Sequence, residues 1–211
     1  MEHNKITEQI DFHEATHRYF LKKTGRELIA VSRILELAGC TNYDRVPFKT
    51  LEPAAFKGDL VHELCRLYGL GQLKVETLDP LLAGYLESLQ RFFKLCVKKV
   101  IFVEVIAFDA KLGYAGRIDI LYQNHQNRVC LDDYKHGELL PAFKLQSALY
   151  ENAAKKTFKI QIDERATVRL NANGGFDLNR DRKVYRERQD FHDAVNMIGC
   201  AYWKLKNKVK A

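Results

Sequence analysis

The chain has 211 residues, 46% of them hydrophobic, and a formal net charge of +7 at neutral pH. This length supports one folded domain with a sizeable core, and this hydrophobic content excludes a disordered chain. No apolar run approaches the roughly 20 residues that cross a bilayer. The polar first residues do not resemble a signal peptide, so we expect a cytoplasmic protein without membrane contact.

The first hundred residues predict a hairpin followed by helices. Residues 12–31 contain two strand-like stretches around a Thr-Gly turn, the pattern of a β-hairpin. Ser32 suits the N-cap of a short helix that ends at Gly39. Residues 41–50 predict a loop. Apolar side chains at helical spacing then predict two longer helices, over residues 51–69 and 80–98.

The second half of the chain predicts four strands, two helices and a short return strand. The first strand is apolar on both faces, which is typical of a strand covered by helices on both sides. Pro141 suits the first position of a helix over residues 141–156. An amphipathic helix over residues 184–208 ends the chain. The four strands cover residues 100–108, 113–122, 128–135 and 166–171.

This order of elements predicts a single α/β domain over residues 1–211, with a mixed central β-sheet flanked by helices. The N-terminal hairpin and the first helices would occupy residues 1–98. The sheet core would span about residues 55–171, and a basic helix about residues 184–208 would follow it.

Positive charge is concentrated near both ends of this last helix. A basic surface favours polyanions such as nucleic acid, although a solvated helix face explains the same pattern equally well. The basic residues are Arg180, Arg182, Lys183, Arg186 and Arg188 at its start, and Lys204, Lys206, Lys208 and Lys210 at its end.

Two carboxylates and a lysine on neighbouring predicted strands form the main candidate site. Asp119 lies in GYAGRIDILY, and Asp133 and Lys135 lie in RVCLDDYKHG. Because side chains alternate along a strand, Asp133 and Lys135 share a face, while Asp132 and Tyr134 point to the other. We therefore expect Asp132 to be a structural group or to support the site residues from behind. The other three residues suit a hard divalent cation and a positioned water, as needed to hydrolyse a phosphodiester.

Glu104 is the only charged residue within VIFVEVIAF. A buried carboxylate without a partner costs several kcal/mol, so Glu104 needs a cation or hydrogen-bond donors. Its predicted partner is a nearby basic residue such as Arg117, and the alternative is direct contact with a metal ion.

Two further sets of polar residues lie on predicted helices. Gln146 and Tyr150 are four residues apart and therefore share a helix face, from which they could reach a phosphate or a metal-bound water. His62 lies one turn after Gly58, whose missing side chain leaves room beside the imidazole. Taken alone, a histidine in this setting indicates a structural role.

A zinc-peptidase motif competes with these candidates. His13, Glu14 and His17 match HExxH, which binds zinc only when it lies on a helix. Here the surrounding residues predict a hairpin, and no third ligand follows at the expected spacing. A zinc peptidase is therefore the minor alternative.

Four motifs, taken in order, resemble those of the RecB-like branch of the PD-(D/E)XK nuclease superfamily. The resemblance covers about residues 55–155 and implies a restriction-endonuclease-like core and DNA cleavage that depends on Mg²⁺ or Mn²⁺. The motifs are GxxxH at residues 58–62, GxxD at 116–119, DxK at 133–135 and QxxxY at 146–150.

The resemblance also implies a role for each candidate residue. Lys135 would orient the attacking water, with Asp119 and Asp133 as its catalytic partners. The implied metal ligands are His62, Glu104, Asp119, Asp133 and the carbonyl of Tyr134. The implied substrate-binding residues are Gln146 and Tyr150, and we add Arg117 as a further substrate-binding candidate.

We therefore expect a bacterial or phage-encoded DNA nuclease, specifically an exonuclease of the phage or recombination and repair type. The five cysteines lack CxxC pairs, so we expect no iron–sulfur cluster. The apolar face of the last helix could serve a second copy or a recombination partner. The main alternative is a non-catalytic nucleic-acid-binding module on the same fold, although the intact Asp, Asp and Lys set argues against it.

Overall fold

The computed structural model describes residues 9–41, 48–179 and 187–209, with the backbone alone described for residues 48–52, 54 and 187. Residues 42–47 of the predicted loop at 41–50 lie outside these ranges, and the loop prediction is wrong for residues 48–50, which are helical. Several predicted basic residues also lie outside these ranges, namely Arg180, Arg182, Lys183, Arg186 and Lys210.

The described residues form eight strands and five α-helices. The strands are β1 (Ile10–His13), β2 (Arg18–Leu21), β3 (Glu27–Ala30), β4 (Lys99–Asp109), β5 (Tyr114–Gln123), β6 (Val129–Lys135), β7 (Glu164–Leu170) and β8 (Phe176–Asn179). The helices are α1 (Val31–Leu37), α2 (Phe48–Gly69), α3 (Ala83–Cys96), α4 (Phe143–Phe158) and α5 (Glu187–Lys206). Across the described ranges, no helix combines the length and apolar character needed to cross a bilayer.

All eight strands belong to one mixed sheet in the order β1-β2-β3-β5-β6-β7-β8, with β4 paired to β5. The β3–β5 and β6–β7 pairs are parallel, and the other pairs are antiparallel. Helices cover both faces of this sheet. The predicted α/β fold with a mixed sheet and an N-terminal hairpin is confirmed, and β1 adds a third strand to the hairpin.

Two apolar cores hold the layers together. Helices α1, α4 and α5 form the layer on one face, around side chains such as Val105 and Leu149. Helices α2 and α3 form the other layer, around Phe92 and Tyr134. Ile198 of α5 is buried in the first core, so the apolar face predicted for this helix packs within the chain itself.

The ends of α1 show one confirmed and one wrong prediction. Ala30 is the N-cap and makes no side-chain hydrogen bond, so Ser32 lies inside the first turn and does not cap the helix. Gly39 terminates the helix as predicted, although the last helical residue is Leu37. Gly39 has a left-handed φ of 78°, and the N–H of Cys40 donates to the carbonyl of Leu35 at 2.9 Å. These are features of a Schellman motif.

The predicted start of the following helices also shifts. Helix α4 begins at Phe143 and not at Pro141, because the N–H of Phe143 still donates to the carbonyl of Leu140 in a preceding turn. Helix α3 begins at Ala83, after a 3₁₀ turn that Asp79 caps by accepting from the N–H of Leu81.

Candidate active site

The candidate site lies at a fork in the sheet. One edge of β5 pairs with β4, and its other edge is shared by two strands. Strand β3 pairs with Tyr114 and Ala115, and β6 pairs with Ile120 and the residues that follow. Residues 116–119 lie between these two pairings. The GxxD motif therefore occupies the opening where β3 and β6 separate.

The alternation of side chains breaks at this opening. Ile118 packs in the core beneath α4, whereas Ile120 packs beneath α2 and α3, although residues two apart on a strand normally share a face. The break falls at Asp119. On β4 the neighbouring strand pairs place Glu104 opposite Asp119, and Glu104 has a left-handed φ of 49°. Glu104 and Asp119 therefore lie opposite each other where both strands depart from regular β geometry.

His62, Glu104 and Asp119 form a group that we call the acid–histidine group. Within the described residues, one ligand atom from each of the three lies within 4.8 Å of the others. Nδ1 of His62, on α2, is 3.6 Å from Oδ2 of Asp119. Two carboxylate oxygens and one imidazole nitrogen suit a divalent cation such as Mg²⁺ or Mn²⁺.

The electrostatics of this group also fit a cation. Burial raises the pKa of Glu104 to about 8, with Asp119 adding to the shift and Arg117 opposing it. The guanidinium of Arg117 therefore only partly offsets the effects of burial and of the second carboxylate on Glu104. A divalent cation would supply further positive charge and favour the ionised form.

Asp133 and Lys135 lie beside the acid–histidine group as an ion pair. Nζ of Lys135 is 2.5 Å from Oδ2 of Asp133 and lies 4.7 Å from the centre of the Phe143 ring. Burial raises the pKa of Asp133 to about 6, while Lys135 opposes the shift. The side chain of Tyr134 points into the core beneath α2 and α3, as the alternation of side chains along β6 predicts.

Asp132 lies on the same face as Tyr134 and is fully buried. It accepts a hydrogen bond from the hydroxyl of Tyr122 at 2.6 Å. Burial raises its pKa well above the usual range, with Glu164 and Asp133 adding to the shift. The predicted placement of Asp132 on the opposite face from Asp133 is confirmed.

Gln146 and Tyr150 meet on α4, as their spacing predicts. Nε2 of Gln146 donates to the hydroxyl of Tyr150 at 3.1 Å. Burial raises the pKa of Tyr150, and the charges of Asp133 and Asp119 add to the shift. A Cβ atom at Gly116 would overlap Cε1 of Tyr150. The glycine of GxxD therefore makes room for the tyrosine of QxxxY.

Gly58 makes room for a histidine that the sequence does not single out. A Cβ atom at this position would lie 2.8 Å from Cε1 of His136. The prediction that Gly58 leaves space for His62 is therefore wrong. His136 directly follows the DxK motif and rests on α2 one turn before His62. The pattern of the sequence contains no signal for this contact, because it joins residues 78 positions apart.

Arg117 is the ionic partner of Glu104, as predicted. Its Nε atom is 2.9 Å from Oε2 of Glu104. Its Nη1 atom is also 3.8 Å from Oε1 of Glu14, and its guanidinium lies 5.5 Å from the centre of the Phe12 ring. The sequence does not predict these last two contacts.

The HExxH residues do not form a zinc-peptidase site. His13 ends β1, Glu14 begins a 3₁₀ turn, and His17 has a left-handed φ of 50° before β2 begins. The motif therefore spans the end of a hairpin and lacks the helix that would bring both imidazoles to one face.

The structure thus brings most of the predicted site residues to one opening in the sheet. The backbone N–H of Tyr134 donates to Asp119 at 2.6 Å, while the ligand role of its carbonyl stays a prediction. Asp133 lies next to the acid–histidine group, but its carboxylate contacts Lys135.

Comparison with known proteins identifies a solved structure with a similar fold. No family model and no curated protein matches the sequence. Among solved structures, the chain is similar to a candidate exonuclease from Eubacterium rectale. The TM-score is 0.55, the sequence identity is 14%, and the match covers 87% of this chain and 83% of that one.

Proposed function

We propose that the chain is a metal-dependent DNA nuclease of the exonuclease class. The observation that carries this proposal is the acid–histidine group beside the Asp133–Lys135 ion pair, at the fork in the sheet. The similar structure from Eubacterium rectale is named as a candidate exonuclease, which supports the same class.

His62, Glu104 and Asp119 would hold the metal ion, with Asp133 and the Tyr134 carbonyl as further predicted ligands. When bound, Mg²⁺ or Mn²⁺ supplies a Lewis acid for the phosphate and lowers the pKa of a bound water. Two buried or half-buried carboxylates and one histidine are the donors that such chemistry requires.

The surrounding residues would position the water and the phosphate. Asp133 and the Phe143 ring hold Lys135, whose ammonium can orient a water and offset negative charge on the phosphate. Gln146 donates to the oxygen of Tyr150, so the phenolic hydrogen is available to donate to a phosphate oxygen. Arg117 adds positive charge at the same opening.

The end of α5 is the proposed surface for the nucleic-acid backbone. Lys206 and Lys208 are exposed there, beside Lys204 and Trp203, whose side chain is 60% exposed. Lysines attract phosphates and an exposed indole can stack on a base. A protein partner that binds α5 would also contact the C-terminal end of this helix, because α1 and α4 cover the apolar face of α5.

End-labelled linear DNA and closed circular DNA, incubated with Mg²⁺, Mn²⁺ or EDTA, test the proposal. We expect wild type to degrade linear DNA only, and EDTA or Lys135→Ala to abolish this activity. Lys99→Ala is the matched control, because Lys99 is exposed at the far end of β4 and should be dispensable.

Other outcomes would change the proposal in defined ways. Cleavage of circles would make the enzyme an endonuclease with the same site. No cleavage with any metal, together with retained DNA binding, would replace the nuclease by a nucleic-acid-binding module.

A further inference from the structure

The hairpin end, which we define as Phe12, Glu14 and His17, contacts the candidate active site through Arg117. The guanidinium of Arg117 lies over the Phe12 ring, with its Nη1 atom 3.8 Å from Glu14. The Nε atom of the same guanidinium is 2.9 Å from Oε2 of Glu104. Arg117 therefore joins two parts of the fold that lie far apart in the sequence.

The aromatic surface beneath Arg117 is itself held in place. The Phe12 ring stacks on Tyr19, with centroids 4.8 Å apart and planes at 27°. His17 meets the Phe12 ring edge-on at 5.3 Å, and its Nε2 atom lies 3.3 Å from the Tyr19 hydroxyl. Tyr19 is completely buried. These contacts leave Phe12 little freedom to change rotamer.

Two unusual backbone conformations lie at the two ends of this chain of contacts. His17 has a φ of 50° and Glu104 has a φ of 49°. Residues other than glycine adopt this region at a cost, and they keep it only where surrounding contacts hold them there. Arg117 contacts Glu104 directly and His17 through Phe12. The side-chain contacts of Arg117 and the two left-handed backbone conformations therefore connect the same residues.

We propose that the hairpin end positions the metal site: it holds Arg117, and Arg117 holds the Glu104 carboxylate toward Asp119 and His62. This inference rests on the proposed metal-dependent function and deepens it. Hydrogen-bonded partners behind a ligand fix its orientation and strengthen metal binding. The HExxH residues Glu14 and His17 thereby have a role in the site without binding zinc.

A simpler explanation is that Arg117 only neutralises Glu104, and that the hairpin end is a bystander. The two explanations differ in what Phe12 does. If Phe12 positions Arg117, removing the ring weakens metal binding although no charge changes. If Phe12 is a bystander, the same substitution leaves metal binding unchanged.

Calorimetric titration of the full chain with Mn²⁺ distinguishes them. We expect Phe12→Leu to weaken Mn²⁺ binding about tenfold, and Phe12→Tyr, which keeps the ring, to bind as wild type does. Phe20→Leu is the matched control, because Phe20 lies on the same hairpin and its ring contacts Arg18, not Arg117. We expect it to bind Mn²⁺ as wild type does.

A double-mutant cycle adds a readout that general destabilisation would not produce. Arg117→Lys keeps the charge but loses the planar group that Phe12 and Glu104 hold. If the hairpin end acts through Arg117, Phe12→Leu should weaken Mn²⁺ binding much less in the Arg117→Lys background than in wild type. If the losses of Mn²⁺ affinity from Phe12→Leu and Arg117→Lys simply add in the double variant, the proposal is overturned.

Unfolding curves recorded without metal establish that each variant is folded. If the Phe12→Leu variant does not fold, the titration is repeated with His17→Asn. Asparagine tolerates the left-handed backbone and lacks the ring that contacts Phe12. Wild-type Mn²⁺ binding with no loss in the hairpin variant would overturn this inference alone. No Mn²⁺ binding by wild type would overturn the metal-dependent function and this inference with it.

Discussion

The carboxylate of Asp119 accepts a hydrogen bond from the backbone N–H of Tyr134 at 2.6 Å, where β5 and β6 stop pairing. A side chain thus satisfies a buried backbone donor where the strand ladder ends. The same carboxylate faces His62 and Glu104. Asp119 therefore contributes both to the stability of the fork and to the proposed site.

Two substitutions at Asp119 should separate these contributions. Asp119→Asn keeps an oxygen that can accept from Tyr134, so we expect lost Mn²⁺ binding and cleavage with little change in stability. Asp119→Ala leaves the buried N–H without an acceptor, which should lower the free energy of unfolding by about 1–3 kcal/mol more. Urea unfolding in EDTA measures the difference. Equal stability of the two variants would contradict the structural role.

Replacing Lys135 should affect the reaction more than metal binding. We expect Lys135→Met to lower the cleavage rate by about 10²–10³-fold, the loss typical when a group that stabilises transition-state charge is removed. Mn²⁺ affinity should not fall, because Lys135 is not a proposed ligand and its removal leaves the carboxylate of Asp133, a predicted ligand, without this competing cation. Lys99→Met serves as the control, and an unchanged rate for Lys135→Met would exclude its catalytic role.

The stability of the metal-free protein should fall as pH rises. Burial, reinforced by Asp119, raises the pKa of Glu104 from its usual 4.5 to about 8. Between these pH values the folded protein binds more protons than the unfolded chain, so the free energy of unfolding decreases through this window. Asp133 acts in the same direction, up to about pH 6.

Urea unfolding across this window, in EDTA and in Mn²⁺, tests the pH dependence. Glu104→Gln should flatten the decrease in EDTA, and Mn²⁺ should reduce it in wild type because a cation favours the ionised carboxylate. A decrease of the same size in Glu104→Gln would assign the effect to other groups.

Helical glycines should respond differently to alanine. Gly199 of α5 has open space where a Cβ would lie, so Gly199→Ala should stabilise the protein by up to about 1 kcal/mol. Gly58→Ala should gain less, because His136 must move. In a His136→Ala background the gain from Gly58→Ala should increase. No difference between the two backgrounds would contradict the contact, and thermal unfolding measures each variant.

Binding of DNA should change the fluorescence of Trp203, the only tryptophan in the chain. Its indole is exposed at the end of α5, beside three described lysines. Replacing Lys204, Lys206 and Lys208 by Gln should reduce the salt dependence of binding by about one unit of slope per lost phosphate contact. An unchanged slope, or unchanged fluorescence, would place DNA elsewhere on the molecule.

Local patterns in the sequence predicted the parts of the site that depend on one element alone. Asp133 and Lys135 share a face because side chains alternate along a strand. Gln146 and Tyr150 meet because residues four apart lie together on a helix. These periods arise from backbone geometry, so they do not depend on the rest of the fold.

Tertiary structure decided the contacts that these periods do not describe. The alternation of side chains breaks at Glu104 and Asp119, beside the opening where β3 and β6 separate. A sequence pattern of period two does not predict where such a break occurs. Phe12 reaches Arg117 across more than a hundred residues of sequence. Such contacts depend on how separate elements pack, because packing is a property of the whole core and not of any one segment.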